Sequence, residues 1–178
     1  LTFTGAITGD NVNLSSDADR VVLSSTGITA SNDVSISALD PTSGSIVGVS
    51  GSTKIVADGL TLREGTDAGA DYDIESSVNS LTADLQSEVT FTNNKSLTIG
   101  AGSFTTNAST LSITTTGGGS DLTVAATLTS ENATGTAITL TAGGNLAIDA
   151  TTTSKNQPII LNAGGSIAIA ATLKASAE

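Results

Sequence analysis

The chain has 178 residues, with 6 Lys+Arg against 17 Asp+Glu, no His, no Cys and no Trp, and a formal net charge of −11. Without His or Cys there is no Ser-His-Asp triad, no imidazole acid or base, no thiolate nucleophile, no disulfide framework and no zinc site built on those ligands. The acid excess argues against nucleic acid and against an anionic membrane surface, and no apolar run reaches the roughly 20 residues of a membrane-spanning helix.

Thr (30) and Ser (24) are abundant, but charged residues are only 13% and hydrophobic ones 38%, which is too apolar for a solvated coil. In chain order the apolar residues fall in pairs two apart: Val12/Leu14, Val34/Ile36, Leu60/Leu62, Leu97/Ile99, Leu122/Val124, Leu146/Ile148 and Ile167/Ile169. A small or polar residue separates the partners, which is the period-2 signature of short strands. Leu81/Ala83 is the weakest member. The first residues of these pairs are spaced by 22, 26, 21, 16, 25, 24 and 21. A turn-forming dipeptide precedes most of them, as at Asp10-Asn11, Asn32-Asp33, Asp58-Gly59, Ser120-Asp121 and Gly144-Asn145. Gly, Asn and Asp tolerate positive φ, the expected reason for their use at a corner.

A first strand is expected ahead of each corner, at Val21/Leu23, Val47/Val49, Val89/Phe91, Leu111/Ile113, Ile138/Leu140 and Ile159/Leu161. Ile28/Ala30 and Ile55/Ala57 read as added short strands. A third strand is expected at Ala126/Leu128 and Ala171/Leu173. A unit of about 22 residues cannot bury its own apolar face, and stacking does it. The prediction is an all-β fold, a parallel β-helix (β-solenoid) of about eight coils of roughly 22 residues. Hairpin signals such as Asn-Gly are missing, which disfavours a sandwich or barrel. With coils about 4.8 Å apart the rod would be about 40 Å long. Residues 1–178 read as one solenoid segment of a longer chain. Residues 1–90 are acidic and irregular, with 13 acids and 3 bases; residues 91–178 are near-neutral and more regular, with 4 and 3.

The most regular copies are ITLTAGGNLAI at 138–148 and IILNAGGSIAI at 159–169. Their Ala-Gly-Gly-x-apolar-x-apolar unit resembles the repeats of filamentous haemagglutinin and related large secreted bacterial exoproteins and adhesins, of the two-partner secretion or autotransporter passenger type. The resemblance implies a right-handed coil sense, an extracellular location, at the bacterial cell surface or secreted, and a structural or adhesive shaft. It carries no catalytic motif.

Several residues invite a site. Asp67, Asp71 and Asp73, in the acidic stretch from Glu64 to Glu75, could ligate Ca²⁺ through oxygen; no other cofactor is expected. The alternative for these carboxylates is a solvated loop that keeps a rod soluble. Asp17 and Asp19 are a weaker set. Arg20 and Arg63, the only arginines, lie beside acids as a polysaccharide-active enzyme would require, but surface ion pairs explain them as well. With one Tyr and no Trp a sugar-processing groove lacks its usual aromatic platform, and no enzyme is expected. Thr90/Thr92, Ser112/Thr114 and Thr139/Thr141 form hydroxyl ladders that simple strand packing accounts for. The expected partners are further coils of the same protein, head-to-tail copies, or a surface receptor or glycan.

Overall fold

The computed structural model describes residues 2–17, 20–23, 27–39, 46–48, 54–65, 72–85, 89–106, 110–131, 137–155 and 157–176. Every helix-or-strand element among them is a β-strand. The first coil carries β1 (Thr2–Phe3), β2 (Ile7–Gly9) and β3 (Val12–Ser16). The second carries β4 (Val21–Leu23), β5 (Gly27–Ala30) and β6 (Asp33–Ala38), and the third β7 (Ile46–Gly48), β8 (Lys54–Val56) and β9 (Gly59–Glu64). The fourth holds β10 (Tyr72–Ser77) and β11 (Ser80–Leu85), and the fifth β12 (Val89–Asn93) and the long β13 (Leu97–Thr106). The sixth holds β14 (Leu111–Thr115), β15 (Leu122–Val124) and β16 (Leu128–Ser130). The seventh holds β17 (Ile138–Ala142), β18 (Leu146–Ile148) and β19 (Thr152–Lys155), and the last β20 (Ile159–Ala163), β21 (Ile167–Ile169) and β22 (Leu173–Ser176).

Strands of successive coils pair in parallel, and the result is a β-solenoid. One face is the ladder β2-β5-β8-β10-β12-β14-β17-β20; a second is β3-β6-β9-β11-β13-β15-β18-β21. A third wall is made by β1-β4-β7 at the N-terminal end and by β16-β19-β22 at the other, with β13 spanning the corner: Leu97–Ile99 pair with β15 and Phe104–Thr106 with β16. The two main ladders have eight rungs each. Only six coils lie between two neighbours, so the enclosed turns number about six of ~22 residues, slightly fewer than the eight coils expected.

The period-2 pattern explains the core directly. Val12 and Leu14, Val34 and Ile36, and Leu60 and Leu62 stack in register, all pointing inward. One aliphatic cluster runs from Val12 to Ile148, with Phe91 the largest side chain fully inside it. Burying a Val, Leu or Ile side chain contributes about 1.5–3 kcal/mol, so each coil's four to six inward residues hold it to the next.

Three expectations need correction. The strand just ahead of each corner belongs to the first face, so Ile28/Ala30 in β5 and Ile55 in β8 are regular members of it. Val21/Leu23, read as a first strand, lies instead in the third wall. Alternation says that a residue points inward but not to which wall its strand belongs. In β7 the buried residue is Ile46, in register with Val21, one place off the Val47/Val49 phase; Val49 lies outside the described residues. Finally, the ladder shifts by two residues at the fifth coil. Leu81 pairs with Ile99 rather than Leu97, and a bulge follows, with Ala83 opposite Gly102. A shift of two keeps every side chain on its own face.

Candidate functional site

The corner before the second face carries a polar ladder along the axis. The Asn11 Oδ1 accepts from the Asp33 backbone N–H at 3.4 Å, and the Ser96 Oγ from the Asp121 N–H at 3.0 Å. The Asp121 Oδ1 accepts from the Asn145 N–H at 2.6 Å, and the Asn145 Oδ1 from the Ser166 N–H at 3.0 Å and its hydroxyl at 2.9 Å. Each side-chain oxygen serves the N–H one coil further toward the C-terminus. These are three Asx residues and one serine acting between turns rather than within one.

The Ala-Gly-Gly units belong to this corner. None of their glycines has a positive φ; among the described residues only Gly117 and Gly119 do, at 112° and 89°, where Ser120 N–H closes the turn on the Gly117 carbonyl at 3.1 Å. The expected φ-based reason is therefore replaced by a steric one. A Cβ on Gly143 would run into the Gly117 carbonyl, and one on Gly164 into the Gly143 carbonyl. A Cβ on Gly144 would stand 2.5 Å from the Asp121 Oδ1, and one on Gly165 2.6 Å from the Asn145 Oδ1. The absent side chains leave room for the neighbouring coil's backbone and for the Asx oxygens.

A second polar column is buried. The Asn93 side chain, fully inside, accepts from the Ser76 hydroxyl at 2.8 Å and the Val78 N–H at 2.9 Å. Its amide donates to the Val78 carbonyl at 2.9 Å and the Lys95 carbonyl at 2.8 Å. The next coil has Thr115 in register, donating to the Ser120 carbonyl at 2.9 Å. Glu64 is also buried and accepts from the Ile46 N–H at 3.3 Å. Apart from the Ser76–Asn93 side-chain bond, these contacts satisfy backbone groups, a structural use of polar side chains.

The outer surface of the second face bears a groove of about 450 Å³ over β3, β6, β9 and β11. It runs between two rows of outward residues: Asn11, Asp33, Gly59 and Ser80 in one, and Asn13, Ser35, Thr61 and Thr82 in the other. Gly59 opens the first row. A Cβ there would come within 2.5 Å of the Asp33 Oδ1 and 3.2 Å of the Ser80 Oγ, so the Asp33 carboxylate lies where a side chain would be.

No family model, curated protein or solved structure matches this chain.

Of the candidate site residues named from the sequence, none of the described ones lines that groove. Asp67, Asp71 and Asp19 lie outside the described residues. Asp73 is described only by its place in β10, opposite Thr90 of β12. Among the described residues no group of three acids, His or Cys could hold a metal. Asp17 and Arg20 are exposed. Arg63, also exposed, is beside Asp84 of the next rung. The hydroxyl ladder is real in register, with Thr90, Ser112 and Thr139 aligned and Thr92, Thr114 and Thr141 aligned. It ends at Ile160 and Asn162, the latter donating to the Thr141 hydroxyl at 3.4 Å. Gly48 lies in the third wall, outside this array. Both rows are readable in the sequence, as the turn positions Asn11, Asp33, Gly59 and Ser80 and the outward positions Asn13, Ser35, Thr61 and Thr82; that they border one groove is not.

Proposed function

We propose that this chain is a structural shaft segment, an extracellular β-solenoid of a secreted or surface-exposed bacterial protein similar to the filamentous haemagglutinin-like exoproteins, and that its C-terminal coil is built to receive another coil. The observation that carries this is the difference between the last two coils. Leu146 and Ile148 are fully buried, while Ile167 and Ile169, in register with them and of like type, are 45% and 51% exposed. The last described coil has a neighbour on one side only, as has the first, where Val12 and Leu14 are nevertheless 7% and 9% exposed. Covering the exposed half of each isoleucine contributes about 1 kcal/mol, and the free strand edges of the coil gain ladder hydrogen bonds at the same time.

The receiving partner is a further coil of the same protein or the first coil of a second copy. The geometry that supports a mechanical role is the continuous aliphatic core braced by two polar columns, which resists bending and proteolysis. On this reading the segment has no catalytic role, and its arginines are surface residues.

The test is solution scattering with sedimentation over a concentration series. Expected is a rod about 40 Å long that lengthens in steps of its own length at constant cross-section. The pair Ile167→Lys and Ile169→Lys should hold it as a monomer. A wild-type rod that stays monomeric at every concentration, or one that associates side by side, would overturn the reading.

A further inference from the structure

We propose that the groove over β3, β6, β9 and β11 binds a neutral, unbranched oligosaccharide lying along the solenoid axis. Its floor is half-buried Ser35, Gly59, Thr61 and Thr82, and its rim is exposed Asn11, Asn13, Asp33 and Ser80. Hydroxyls, amides and one carboxylate supply donors and acceptors in alternation, the inventory that matches a sugar's hydroxyl groups. Ligand grooves are concave and place a few such polar groups at fixed positions. Here the positions repeat with the coil spacing of about 4.8 Å, close to the length of one sugar ring, so successive rings meet equivalent side chains.

Charge selects among polar chains. No cationic residue lines the groove, and the half of the protein that contains it, residues 1–90, carries 13 acids against 3 bases. A sulfated or sialylated glycan would meet a field of its own sign. A peptide would need apolar pockets for its side chains, but the apolar lining residues Val12, Val34 and Leu60 turn theirs into the core and leave polar ones at the surface. The groove is also bounded. Past β11 the ladder shifts by two residues and a bulge follows: Ser80 is continued by Thr98, but Thr82 has no residue paired with it in β13. No aromatic ring lines it, so binding rests on hydrogen bonds and is weak, on the order of 1 mM. Gly59 has a specific part: it lets the Asp33 carboxylate reach across the gap in the first row, where it can accept from two neighbouring hydroxyls of a ring.

The experiment uses an array of immobilised neutral, sialylated and sulfated glycans, whose dense display retains weak binders. A retained neutral oligosaccharide is then titrated into isotope-labelled protein. Expected are retention on neutral glycans and amide shifts confined to Ser35, Gly59, Thr61, Thr82 and their neighbours. Thr61→Arg should weaken binding at least about tenfold, a loss of about 1.4 kcal/mol. Thr123→Arg, on the same face beyond the groove, should leave it unchanged. Asp33→Asn, at an exposed position, should weaken it without touching the core, which keeps the test valid if Thr61→Arg disturbs folding. Retention of no neutral glycan, retention of anionic glycans only, or shifts elsewhere on the protein would overturn the proposal. The end-to-end association of the rod does not enter this measurement.

Discussion

Single polar residues inside the solenoid differ sharply in how well they are satisfied. Asn93 uses both ends of its amide, holding four groups around a turn of backbone. Asn93→Ala would leave the Val78 N–H and carbonyl, the Lys95 carbonyl and the Ser76 hydroxyl without this partner, and should cost on the order of 3 kcal/mol, read as a lower urea midpoint. Thr152 is the opposite case. It is fully buried in β19 between Leu128 and Leu173, and its hydroxyl has no hydrogen-bond partner among the described residues. Thr152→Val keeps the shape and removes a desolvated polar atom. It should stabilise the protein by about 1 kcal/mol, or about 2–4 °C in Tm for a chain of this size. A thermal melt showing no gain would mean that the hydroxyl is hydrated or paired in solution.

At the scale of strands and corners the spacing between coils is the controlling quantity. Gly144→Ala places a methyl against the Asp121 carboxylate and the Gly119 backbone, 2.5 to 2.8 Å away. Overpacking of this kind costs about 1–3 kcal/mol. Gly118→Ala is the control: nothing lies within 4 Å of its Cβ, and its φ is not positive. It should be neutral or add up to about 1 kcal/mol by stiffening the unfolded chain. Denaturant titration of the two variants separates close approach from backbone conformation. How much of this was legible in the sequence follows the same division. The second-face strands were readable because their apolar pairs are dictated by burial. β19 was not, because its inward residues are Thr152 and Ser154, which break the apolar pattern while keeping the pleat. The assignment of β4 to the third wall depends on which corner comes next, and a three-residue strand carries no mark of that. The glycine pairs were visible as corners, but their reason was not, since it lies in the neighbouring coil. The two rows of the candidate groove follow from the repeat, but the concave surface between them does not, because it depends on how closely the coils are set and on the gap at Gly59.

The whole molecule is a ladder with unequal ends. Interior coils lose their backbone hydrogen bonds only if two neighbours part, whereas the last coil is held from one side. Amide exchange should therefore be faster in β20, β21 and β22 than in β14 and β17 in dilute protein. As concentration rises the difference should shrink if ends meet ends, because the exposed coil then becomes an interior one. A profile that is uniform along the rod at low concentration would show that the last coil is held by something other than its neighbour. The corner ladder adds a direction to this picture. Unlike the buried Asn93, which serves the Val78 N–H of the coil before it, the corner oxygens of Asn11, Ser96, Asp121 and Asn145 belong to the earlier coil and the N–H groups they serve to the later one. A coil already in place thus offers fixed acceptors to the segment that follows. At these four corner contacts the acceptor therefore precedes its donor in the chain, the order in which a chain is synthesised.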